Sequence, residues 1–335
     1  GLIYFNPLFF IYIISINLQH SKKQIALKIF NSINEFHCSK KTILTLGTFD
    51  GVHLGHRKIL EKITQNTTDE KAESLVLTFY PHPRMVLQGQ SEVKLLNTIE
   101  EKIDLLEDLG IQNLVIHPFD EIFSQLSAEE FVKIVLVDRF HIQKIIIGHD
   151  HRFGKNRTAN IDDLIAFGKQ YDFEVEQISV QEIQDVSISS TKIRNALNEG
   201  KMTLANNFLG YDYFLTGTVS KGKQLGRTIG FPTANLKIKD NEKLIPRNGV
   251  YVVKSIINQK IVFGMMNIGF NPTVKGENLT IEVHFFNFEA DLYDQKIKVS
   301  ILKHLRSEQK FSSVDLLKEQ LFKDKESALS YIERQ

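Results

Sequence analysis

Residues 42–63 read TILTLGTFDGVHLGHRKILEKI, and this stretch decides the fold of the first half of the chain. Thr42–Leu46 is an apolar run with the length of a buried strand. A glycine-rich loop, Gly47–His56, follows it and leads into Arg57–Ile63, where apolar residues recur at helical spacing. Glycines let a backbone approach a ligand closely, and a helix start presents free N–H groups and a positive dipole end. The stretch therefore predicts a strand–loop–helix unit with a phosphate site.

Outward from this unit, strand and helix patterns alternate from Lys41 to about Val180. The further predicted strands are Ser74–Phe79, Asn113–His117, Lys144–Gly148 and Phe173–Ile178. The further predicted helices are Thr98–Leu109 and Ser127–Phe140, the second opened by a Ser127/Glu130 capping box. Such alternation favours a parallel, doubly wound sheet.

The pattern changes after Ser189–Leu209, where a short helix over Thr191–Leu209 is expected to end the first domain. Short β-rich runs separated by Gly, Asn and Pro follow: Phe214–Val219, Val250–Ile257, Ile261–Ile268, Thr280–Phe286 and Ile297–Leu305. They predict a small antiparallel barrel or sandwich. A closing helix is expected to place four residues on its apolar positions: Val314, Leu316, Leu317 and Leu321.

The composition describes a globular chain of about two domains. Its 335 residues are twice the usual domain length of about 150, and 42% are hydrophobic. The formal charge is +1, which gives no reason to expect a nucleic acid or an anionic membrane as partner. Cys38 is the single cysteine, so an intramolecular disulfide and a cysteine-rich zinc site are excluded and a cytoplasmic location is expected.

The N-terminal stretch is unusual. Leu2–Leu18 is apolar but interrupted, and at seventeen residues it is at the short edge of a membrane span. No basic region precedes it, as a secretory signal would require. We expect Gly1–Ala26 to be an upstream-translated or non-native extension. The alternative is a membrane anchor, with Lys22 and Lys23 holding the following chain on the cytoplasmic side.

Two histidines of the glycine-rich loop are candidate ligands of a polyphosphate. His53 and His56 are three residues apart, so both imidazoles can donate to one phosphate group. No Lys-Ser/Thr pair follows the glycines, which excludes a Walker A loop. Zinc is a weaker alternative, because no third ligand lies at a suitable local spacing.

A second helix start offers another anion site. Ser189 and Ser190 are good N-cap residues, and Thr191 and Arg194 lie one turn apart behind them. Taken alone, this segment is better explained as an ordinary capped surface helix with a solvated arginine, and only the first motif favours an anion site.

The β-rich half contains GRTIGFPTAN, residues 226–235. Thr233 and Asn235 are two apart and project to the same face of an extended segment, behind the rigid Pro232. Their neutral oxygens can bind a hard cation such as Mg²⁺. On periodicity alone, a strand edge with polar turn residues is the favoured interpretation. Gly217–Lys223 matches G-x-x-x-x-G-K but lacks the following Ser/Thr, and no helical pattern follows it, so it is not interpreted as a Walker A site.

The motifs together resemble the bacterial bifunctional riboflavin kinase/FMN adenylyltransferase family. GTFDGVHLGH, residues 47–56, is similar to the G-x-F-D-G-V-H-x-G-H form of the nucleotidyltransferase signature. FYPHPRMVL (79–87) and IGHDHRFGKNR (147–157) resemble two substrate-side segments of that family, and ISSTKIR (188–194) resembles its I-S-S-T-x-I-R motif.

The second half resembles the riboflavin kinases of the same family, whose hallmark is P-T-A-N. The flanking segments agree: GTVSKG (217–222), NGVY (248–251), NIGFNPTV (267–274), IEVHFFNFEADLY (281–293) and RSEQKF (306–311), with Gln320 and Asp324 beyond. Three residues depart from the family pattern, namely His151 where Phe is usual, Asn287 where Asp is usual, and Asp294 where Gly often stands.

The resemblance implies two folds in four segments. Residues 27–197 would form a Rossmann-like FMN adenylyltransferase domain and 210–335 a Greek-key antiparallel β-barrel kinase domain with a C-terminal helix. Residues 198–209 would be a linker helix, and 1–26 the extension. The reactions implied are phosphorylation of riboflavin by ATP to FMN and adenylylation of FMN by ATP to FAD, with Mg²⁺ as cofactor.

The resemblance also implies site residues. The catalytic candidates are His53, His56 and Glu282. ATP in the adenylyltransferase would be bound by Gly47, Phe49, Asp50, Gly55, Asp150, Ser190, Thr191 and Arg194. ATP and Mg²⁺ in the kinase would be bound by Gly222, Gly226, Thr233 and Asn235, and the flavin by Pro81, His82, Phe153, Phe288 and Arg306.

Two alternatives stay open at this point. One is another H-x-G-H nucleotidyltransferase fused to an unrelated β domain, which the P-T-A-N segment disfavours. The other is a flavin-binding regulator without turnover, which would be suggested by loss of His53, Thr233 or Glu282; all three are present.

Overall fold

The computed structural model describes residues 26–67, 71–87, 93–148, 151–179, 188–222, 225–273 and 276–335. These residues form two compact units, each assembled from separate stretches of chain. The first contains the described residues of Gly1–Thr48, Arg57–Gly89 and Ile103–Glu182, and the second those of Phe49–His56, Gln90–Lys102 and Ile183–Gln335. The expectations for Leu2–Leu18 concern residues outside the described ones. The four predicted domain segments, which follow chain order, stay a prediction.

The first unit contains a six-stranded parallel sheet with the order β1-β4-β3-β2-β5-β6. Its strands are β1 (Lys28–Phe30), β2 (Lys41–Leu46), β3 (Ala72–Phe79), β4 (Asn113–His117), β5 (Ile142–Gly148) and β6 (Glu174–Ile178). The order reverses at β2, which pairs with β3 on one side and β5 on the other. The predicted doubly wound sheet is confirmed. The histidine motif follows β2, the strand at the topological switch point where ligands of such sheets bind.

Helices alternate with these strands along the chain. They are α1 (Leu54–Gln65), α2 (Pro83–Leu87), α3 (Ile99–Asp108), α4 (Glu121–Ser124), α5 (Ala128–Glu130) and α6 (Ile161–Tyr171), with a π-helical segment at Phe131–Arg139 and a 3-10 turn at Lys155–Arg157. The Ser127/Glu130 capping box is confirmed, with Glu130 N–H donating to Ser127 Oγ (3.2 Å) and Ser127 N–H to Glu130 Oε2 (2.9 Å).

The predicted α-helix over Ser127–Phe140 is only partly right. From Phe131 onward the backbone bonds widen to the π pattern, as in the 3.0 Å bond from Phe140 N–H to Val135 O. Apolar spacing in so short a segment does not separate the two helix types, because both bury one side against the sheet core.

The second unit contains a closed antiparallel barrel with the order β10-β11-β8-β7-β12-β9. Its strands are β7 (Phe214–Ser220), β8 (Ala234–Lys237), β9 (Gly249–Ile257), β10 (Lys260–Thr273), β11 (Gly276–Phe285) and β12 (Lys296–Arg306). Closure confirms the predicted barrel rather than a sandwich. The four residues of β8 were expected only as an extended segment, because they are too few to give an alternating pattern.

The remaining helices are α7 (Ser190–Asn198), α8 (Met202–Leu209), α9 (Leu225–Thr228) and α10 (Val314–Ile332). The single helix predicted over Thr191–Leu209 is therefore wrong. Gly200 adopts φ 74° and Lys201 N–H donates to Ala196 O (2.8 Å), which ends α7 in the manner of a Schellman motif.

The closing helix α10 is present, but two of its predicted apolar positions are not buried. Val314 and Leu316 are exposed, whereas Asp324 and Ala328 are buried. The first turn has apolar residues without a covering partner among the described residues, and sequence periodicity reports only the residues, not the partner. Within the part of the chain that the structure describes, no helix combines the length and hydropathy of a membrane span.

Candidate active sites

The histidine motif after β2 forms a tight turn with strained backbone. Phe49, Gly51 and Val52 have φ values of 45°, 90° and 37°, in the left-handed region that non-glycine residues rarely adopt. A Cβ on Gly51 would lie 2.6 Å from Leu96 Cδ1, so glycine is required there on both counts. Phe49 and Val52 are buried, and their burial holds the strained conformation in place.

Four side-chain and backbone donors from other segments hold this turn. Asp50 Oδ1 accepts from Leu96 N–H (2.9 Å), and Oδ2 is paired with Arg194 Nη2. Ser190 Oγ donates to the Asp50 carbonyl (2.8 Å), and the Tyr211 hydroxyl donates to the Gly51 carbonyl (2.7 Å). The structure therefore brings together Asp50, Ser190 and Arg194, three of the predicted ATP-binding residues.

The second predicted helix start is confirmed as α7, with Ser189 as its N-cap. Lys192 N–H donates to Ser189 Oγ at 3.3 Å, while Ser190 contacts the Asp50 carbonyl instead of capping. Thr191 is exposed at this helix start. The segment is more than a surface helix with a solvated arginine, because Arg194 is paired with a buried carboxylate.

The two histidine rings stack on one another. The centroids of His53 and His56 are 3.6 Å apart with an interplanar angle of 17°, and Phe49 meets His56 edge-on at 5.2 Å. His56 N–H donates to His53 Nδ1 (3.4 Å). That contact makes Nδ1 the acceptor and leaves Nε2 as the proton-bearing nitrogen of a neutral His53. His56 Nδ1 is shielded from solvent and has no hydrogen-bond partner among the described residues.

Burial keeps both imidazoles neutral. Desolvation lowers the pKa of His53 to about 4, and the side chain is 6% exposed. Burial lowers the pKa of His56 well below its ordinary value, and the positive charge of His53, when that ring is protonated, and the charge of Lys102 add to this shift. Burial also lowers the pKa of Lys102 to about 8, although Asp50 opposes this shift. At neutral pH the two rings are therefore uncharged N–H donors beside a buried cation.

Among the described residues, no group of three His, Cys, Asp or Glu side chains could hold a metal ion.

The other predicted ATP-binding residues of the loop, Gly47 and Gly55, lie at the end of β2 and at the start of α1. Gly47 N–H donates to the Leu77 carbonyl (3.0 Å) at the end of β2, and Gly55 is buried in the first turn of α1. Asp150 lies outside the described residues.

Three predicted flavin residues lie in the first unit. Pro81 is exposed, and His82 Nδ1 accepts from Arg84 N–H (3.2 Å) where α2 begins. Phe153 is buried in the sheet core and its N–H bonds to the Ala159 carbonyl (3.2 Å). The unusual His151 lies parallel to the Phe153 ring at 6.4 Å. Their contact with a flavin stays a prediction.

The kinase candidates meet where β8 pairs with β11. Asn235 and Glu282 are direct cross-strand neighbours, and Thr233 precedes β8. The Thr233 hydroxyl donates to Glu282 Oε2 at 3.3 Å. All three side chains are half-buried. The structure thus places one carboxylate beside the hydroxyl and amide predicted from the P-T-A-N segment.

The surrounding backbone packs closely on this trio. A Cβ on Gly222 would lie 2.1 Å from Asn235 Nδ2, and a Cβ on Gly226 would lie 2.1 Å from the Phe231 carbonyl. His284 Nδ1–H donates to the Pro232 carbonyl (2.8 Å) and so supports the turn that presents Thr233. Both glycines were predicted; His284 was not.

Among the described residues, the remaining kinase-domain candidates contact partners other than that trio. Arg306 pairs with the buried Asp324 through Nε and Nη2, at 2.9 and 2.7 Å, and Gln320 donates to the same carboxylate at 2.9 Å. Phe288 is half-buried, with its ring 5.9 Å from that of Phe285.

Two residues that depart from the family pattern lie in left-handed backbone. Asn287 has φ 52° and Asp294 has φ 60°. Asn, Asp and Gly are the residues that best tolerate this left-handed region. Asp294 therefore adopts the conformation for which glycine would otherwise be suited.

Several residues that hold the histidine turn were not predicted, namely Leu96, Glu101, Lys102, Tyr211 and Lys243. One signal was present in the sequence: Thr98-x-x-Glu101 is a capping box, and Glu101 N–H donates to Thr98 Oγ1 (3.2 Å). Buried lysines are rare, so the sequence gives no reason to expect Lys102 and Lys243 in the protein interior.

A doubly wound sheet whose strand β2 leads into a stacked histidine pair, and a barrel with a Thr–Asn–Glu trio, together define a class of enzyme that transfers phosphate-containing groups. Comparison with known proteins specifies this class. The FAD synthetase family model matches residues 35–192, and the riboflavin kinase family model matches residues 209–332.

Relatives align with the chain over most of their own length. The chain is 39% identical to the bifunctional riboflavin kinase/FMN adenylyltransferase of Buchnera aphidicola subsp. Schizaphis graminum, over 88% of this chain and 95% of that protein. It is 39% identical to the Bacillus subtilis protein of the same description, over 87% and 92%. The chain belongs to the bifunctional riboflavin kinase/FMN adenylyltransferase family.

A solved structure has the same overall architecture. A crystal structure described as a macrolide-efflux protein from Streptococcus pneumoniae aligns with a TM-score of 0.82 and 30% identity, covering 90% of this chain and 98% of that one. The predicted folds, the enzyme class and the substrates riboflavin, FMN and ATP with the product FAD are confirmed by family membership. The alternative of an unrelated β domain is wrong, because that part of the chain matches riboflavin kinase.

Proposed function

We propose that FMN is adenylylated at the turn that carries His53 and His56, and that riboflavin is phosphorylated at the Thr233–Asn235–Glu282 trio. The observation that supports the first assignment is the stacked pair of neutral imidazoles at the start of α1. The contact between Thr233 and Glu282, with Asn235 opposite on β8, supports the second.

In adenylyl transfer, a phosphate oxygen of FMN forms a bond to the α-phosphorus of ATP. The bond from that phosphorus to the bridging oxygen breaks, and pyrophosphate leaves. The attacking oxygen is already anionic, so no strong base is needed. His53 and His56 donate N–H bonds to phosphate oxygens as negative charge develops, and neutral donors in a water-poor site are effective there.

Arg194 and the Thr191 helix start are assigned to the leaving pyrophosphate. Arg194 uses Nε on the Lys94 carbonyl (2.8 Å) and Nη2 on Asp50, and its Nη1 has no partner among the described residues. Asp50 therefore orients Arg194 and closes the turn, while Gly47, Phe49, Gly55, Asp150 and Ser190 shape the ATP site.

In the kinase, the terminal hydroxyl of riboflavin attacks the γ-phosphorus of ATP. Glu282 takes the hydroxyl proton, the bond from the γ-phosphorus to its bridging oxygen breaks, and ADP leaves. Gly222 and Gly226 allow the backbone to approach ATP. Phe288 and Arg306 bind the flavin here, and Pro81, His82 and Phe153 bind it in the adenylyltransferase.

The donor set fits a magnesium ion. Thr233 and Asn235 offer hard neutral oxygens beside a carboxylate, and Gly222 packs against the Asn235 amide, where any side chain would displace it. Thr233 and Asn235 would hold the ion, which when bound with ATP neutralises charge on the phosphates. We also infer that residues 27–197 and 210–335 are the two domains, joined by 198–209, and that the enzyme is cytoplasmic.

Reciprocal substitutions test these assignments with two assays on the full chain: FMN formed from riboflavin, and FAD formed from supplied FMN. Glu282→Gln should lower FMN formation about 10²- to 10⁴-fold, because the proton acceptor is lost. His53→Asn should lower FAD formation about 10²- to 10³-fold, as expected for one lost donor to the transition state. Each variant should leave the other activity unchanged.

The matched controls are Glu289→Gln and His37→Asn, which replace exposed residues of the same types. Both should retain both activities. If either site variant removed both activities in a protein that still unfolds cooperatively, the assignment of separate sites would be wrong.

A further inference from the structure

A fully buried lysine links the barrel chain to the histidine turn. The side chain of Lys243 is 0% exposed and that of its partner Glu101 is 1% exposed. Lys243 Nζ donates to Glu101 Oε2 (2.6 Å) and to the Leu96 carbonyl (2.7 Å), and it lies 4.4 Å from the centre of the Tyr213 ring. All these residues belong to the second compact unit.

The segment Lys94–Leu96 is bonded along its length to the segment that contains Lys243. Lys94 Nζ donates to the Asn241 carbonyl (2.8 Å), and Leu95 N–H donates to the Glu242 carbonyl (2.6 Å). Leu244 N–H donates back to the Leu95 carbonyl (2.7 Å). The position of Leu96 is thus set by residues 241–244.

Leu96 in turn holds the carboxylate of the histidine turn. Its carbonyl accepts from Lys243, and its N–H donates to Asp50 Oδ1 (2.9 Å). Arg194 connects to the same frame, because its Nε donates to the Lys94 carbonyl while Nη2 pairs with Asp50 Oδ2. Both carboxylate oxygens of Asp50 therefore depend on the segment that Lys243 fixes.

The Glu101 carboxylate extends this set of hydrogen bonds to the start of α3. Its Oε1 accepts from Thr216 N–H (3.0 Å) in β7, and its Oε2 accepts from Thr98 N–H (3.2 Å) as well as from Lys243. Lys102 follows in the chain, and its charge acts on His56. The buried pair thus orders the helix turn that contains Lys102, whose charge acts on His56.

A contribution to stability does not account for this pair. Buried ion pairs contribute little net stability relative to well-packed neutral side chains, since desolvation offsets their attraction. Removing one partner is costly, but replacing both is often neutral. The pair does, however, fix the positions of the groups bonded to it. A chain of hydrogen bonds, here called the relay, runs from Lys243 through Leu96 to Asp50.

We propose that Lys243, a residue within the riboflavin kinase match, is a positioning residue for adenylyl transfer, acting through Leu96 and Asp50 on the His53–His56 turn. The proposal rests on the assignment of adenylyl transfer to that turn. FAD formation then requires a side chain from the kinase part of the sequence, whereas FMN formation does not require the relay.

The test is the full-length double variant Lys243→Met/Glu101→Gln, which removes the ammonium without leaving an unpaired buried charge. The kcat of FAD formation should fall at least about tenfold, because misplacing a reacting group by a fraction of an ångström is costly. FMN formation should be unchanged. Amide hydrogen exchange should accelerate in residues 49–56 and not in β9 to β12.

The matched control is Lys254→Met/Asp212→Asn, which removes a partly exposed ion pair (2.8 Å) of the same unit. It should leave both activities and the exchange of residues 49–56 unchanged. If the first double variant does not fold, Lys243→Gln/Glu101→Gln is measured by the same criteria.

Unchanged FAD formation, or an equal loss of both activities with faster exchange throughout the barrel, would overturn the positioning role. His53→Asn in the same assay separates the two hypotheses. If His53→Asn retains FAD formation, the assignment of the turn is wrong. If only His53→Asn loses it, the role of Lys243 is wrong.

Discussion

The two proposed sites would use similar chemistry but are positioned in different ways. The histidine turn is held by contacts from residues 96, 190, 194 and 211, and its backbone is left-handed at three positions. The kinase trio rests on regular strand pairing, in which Asn235 lies opposite Glu282 and one hydrogen bond joins Thr233. The first site should therefore respond to changes far along the chain, and the second mainly to changes in its own strands.

Gly51→Ala should produce the largest effect. The substitution combines a positive φ of 90° with a Cβ 2.6 Å from Leu96, so backbone strain and overpacking add. We expect a loss of about 2 kcal/mol or more in the free energy of unfolding, from strain and overpacking of about 1–3 kcal/mol each. FAD formation should fall about 10²-fold, since the turn is displaced. Urea unfolding and the two product assays measure these effects.

Gly110→Ala is the matched control for that change. Gly110 has φ 77°, but nothing lies within 4 Å of its added Cβ. It should lose stability from strain alone and retain FAD formation. Equal FAD formation in the two variants would contradict the claim that the histidine turn depends on close contacts with distant residues, whereas the trio depends on strand pairing.

The pH dependence of stability should come next in size. The unfolded His53 takes up a proton as the pH falls below about 6.5, whereas the folded residue does so only near pH 4. The folded state therefore loses stability as the pH falls through this window, by up to about 3 kcal/mol at about 1.4 kcal/mol per unit. His53→Asn should remove that part of the slope.

Urea unfolding at several pH values between 7.5 and 4 measures the difference between wild type and variant. The exposed His37→Asn serves as control and should follow the wild-type curve. Parallel curves for wild type and His53→Asn would contradict a neutral, desolvated His53.

Gly222→Ala should give the smallest effect. It tests whether a change in the strand-paired trio affects FMN formation alone. Its Cβ would lie 2.1 Å from Asn235 Nδ2, a side-chain atom that can move aside. We expect FMN formation to fall about tenfold, because Asn235 leaves its place, with the unfolding free energy nearly unchanged. FAD formation should not change.

Lys237→Ala, at the exposed end of β8, is the control and should retain FMN formation. A Gly222→Ala enzyme with full FMN formation would show that the kinase does not need Asn235 in its present position.

Much of both folds was predictable because local signals agreed with the tertiary structure. Asn113–His117 matches its predicted strand residue for residue, and the other four predicted parallel strands differ by one or two residues at an end. Errors lie where local signals are weak. Three-residue β1 and four-residue β8 are too short for a pattern, and Val314 looked buried because spacing cannot identify a covering partner.

The residues of the two candidate sites also fall into those that the sequence predicts and those that it does not. The motifs predicted His53, His56, Asp50, Arg194, Thr233, Asn235 and Glu282, and the structure places these residues in two groups. The motifs did not predict Tyr211, His284 or Lys243, whose contacts join positions far apart in the chain. A single sequence contains no local signal for such contacts.

The sequence by itself determined the order of the two domains, and its motifs, through their resemblance to a known family, indicated the chemistry of each, because motifs are properties of short segments. Tertiary structure alone decided which protonation state and which partners those residues have. Neutral histidines need burial, and the Asp50 carboxylate needs Leu96 and Arg194 from distant parts of the chain. Desolvation and long-range hydrogen bonds arise only when the chain is folded.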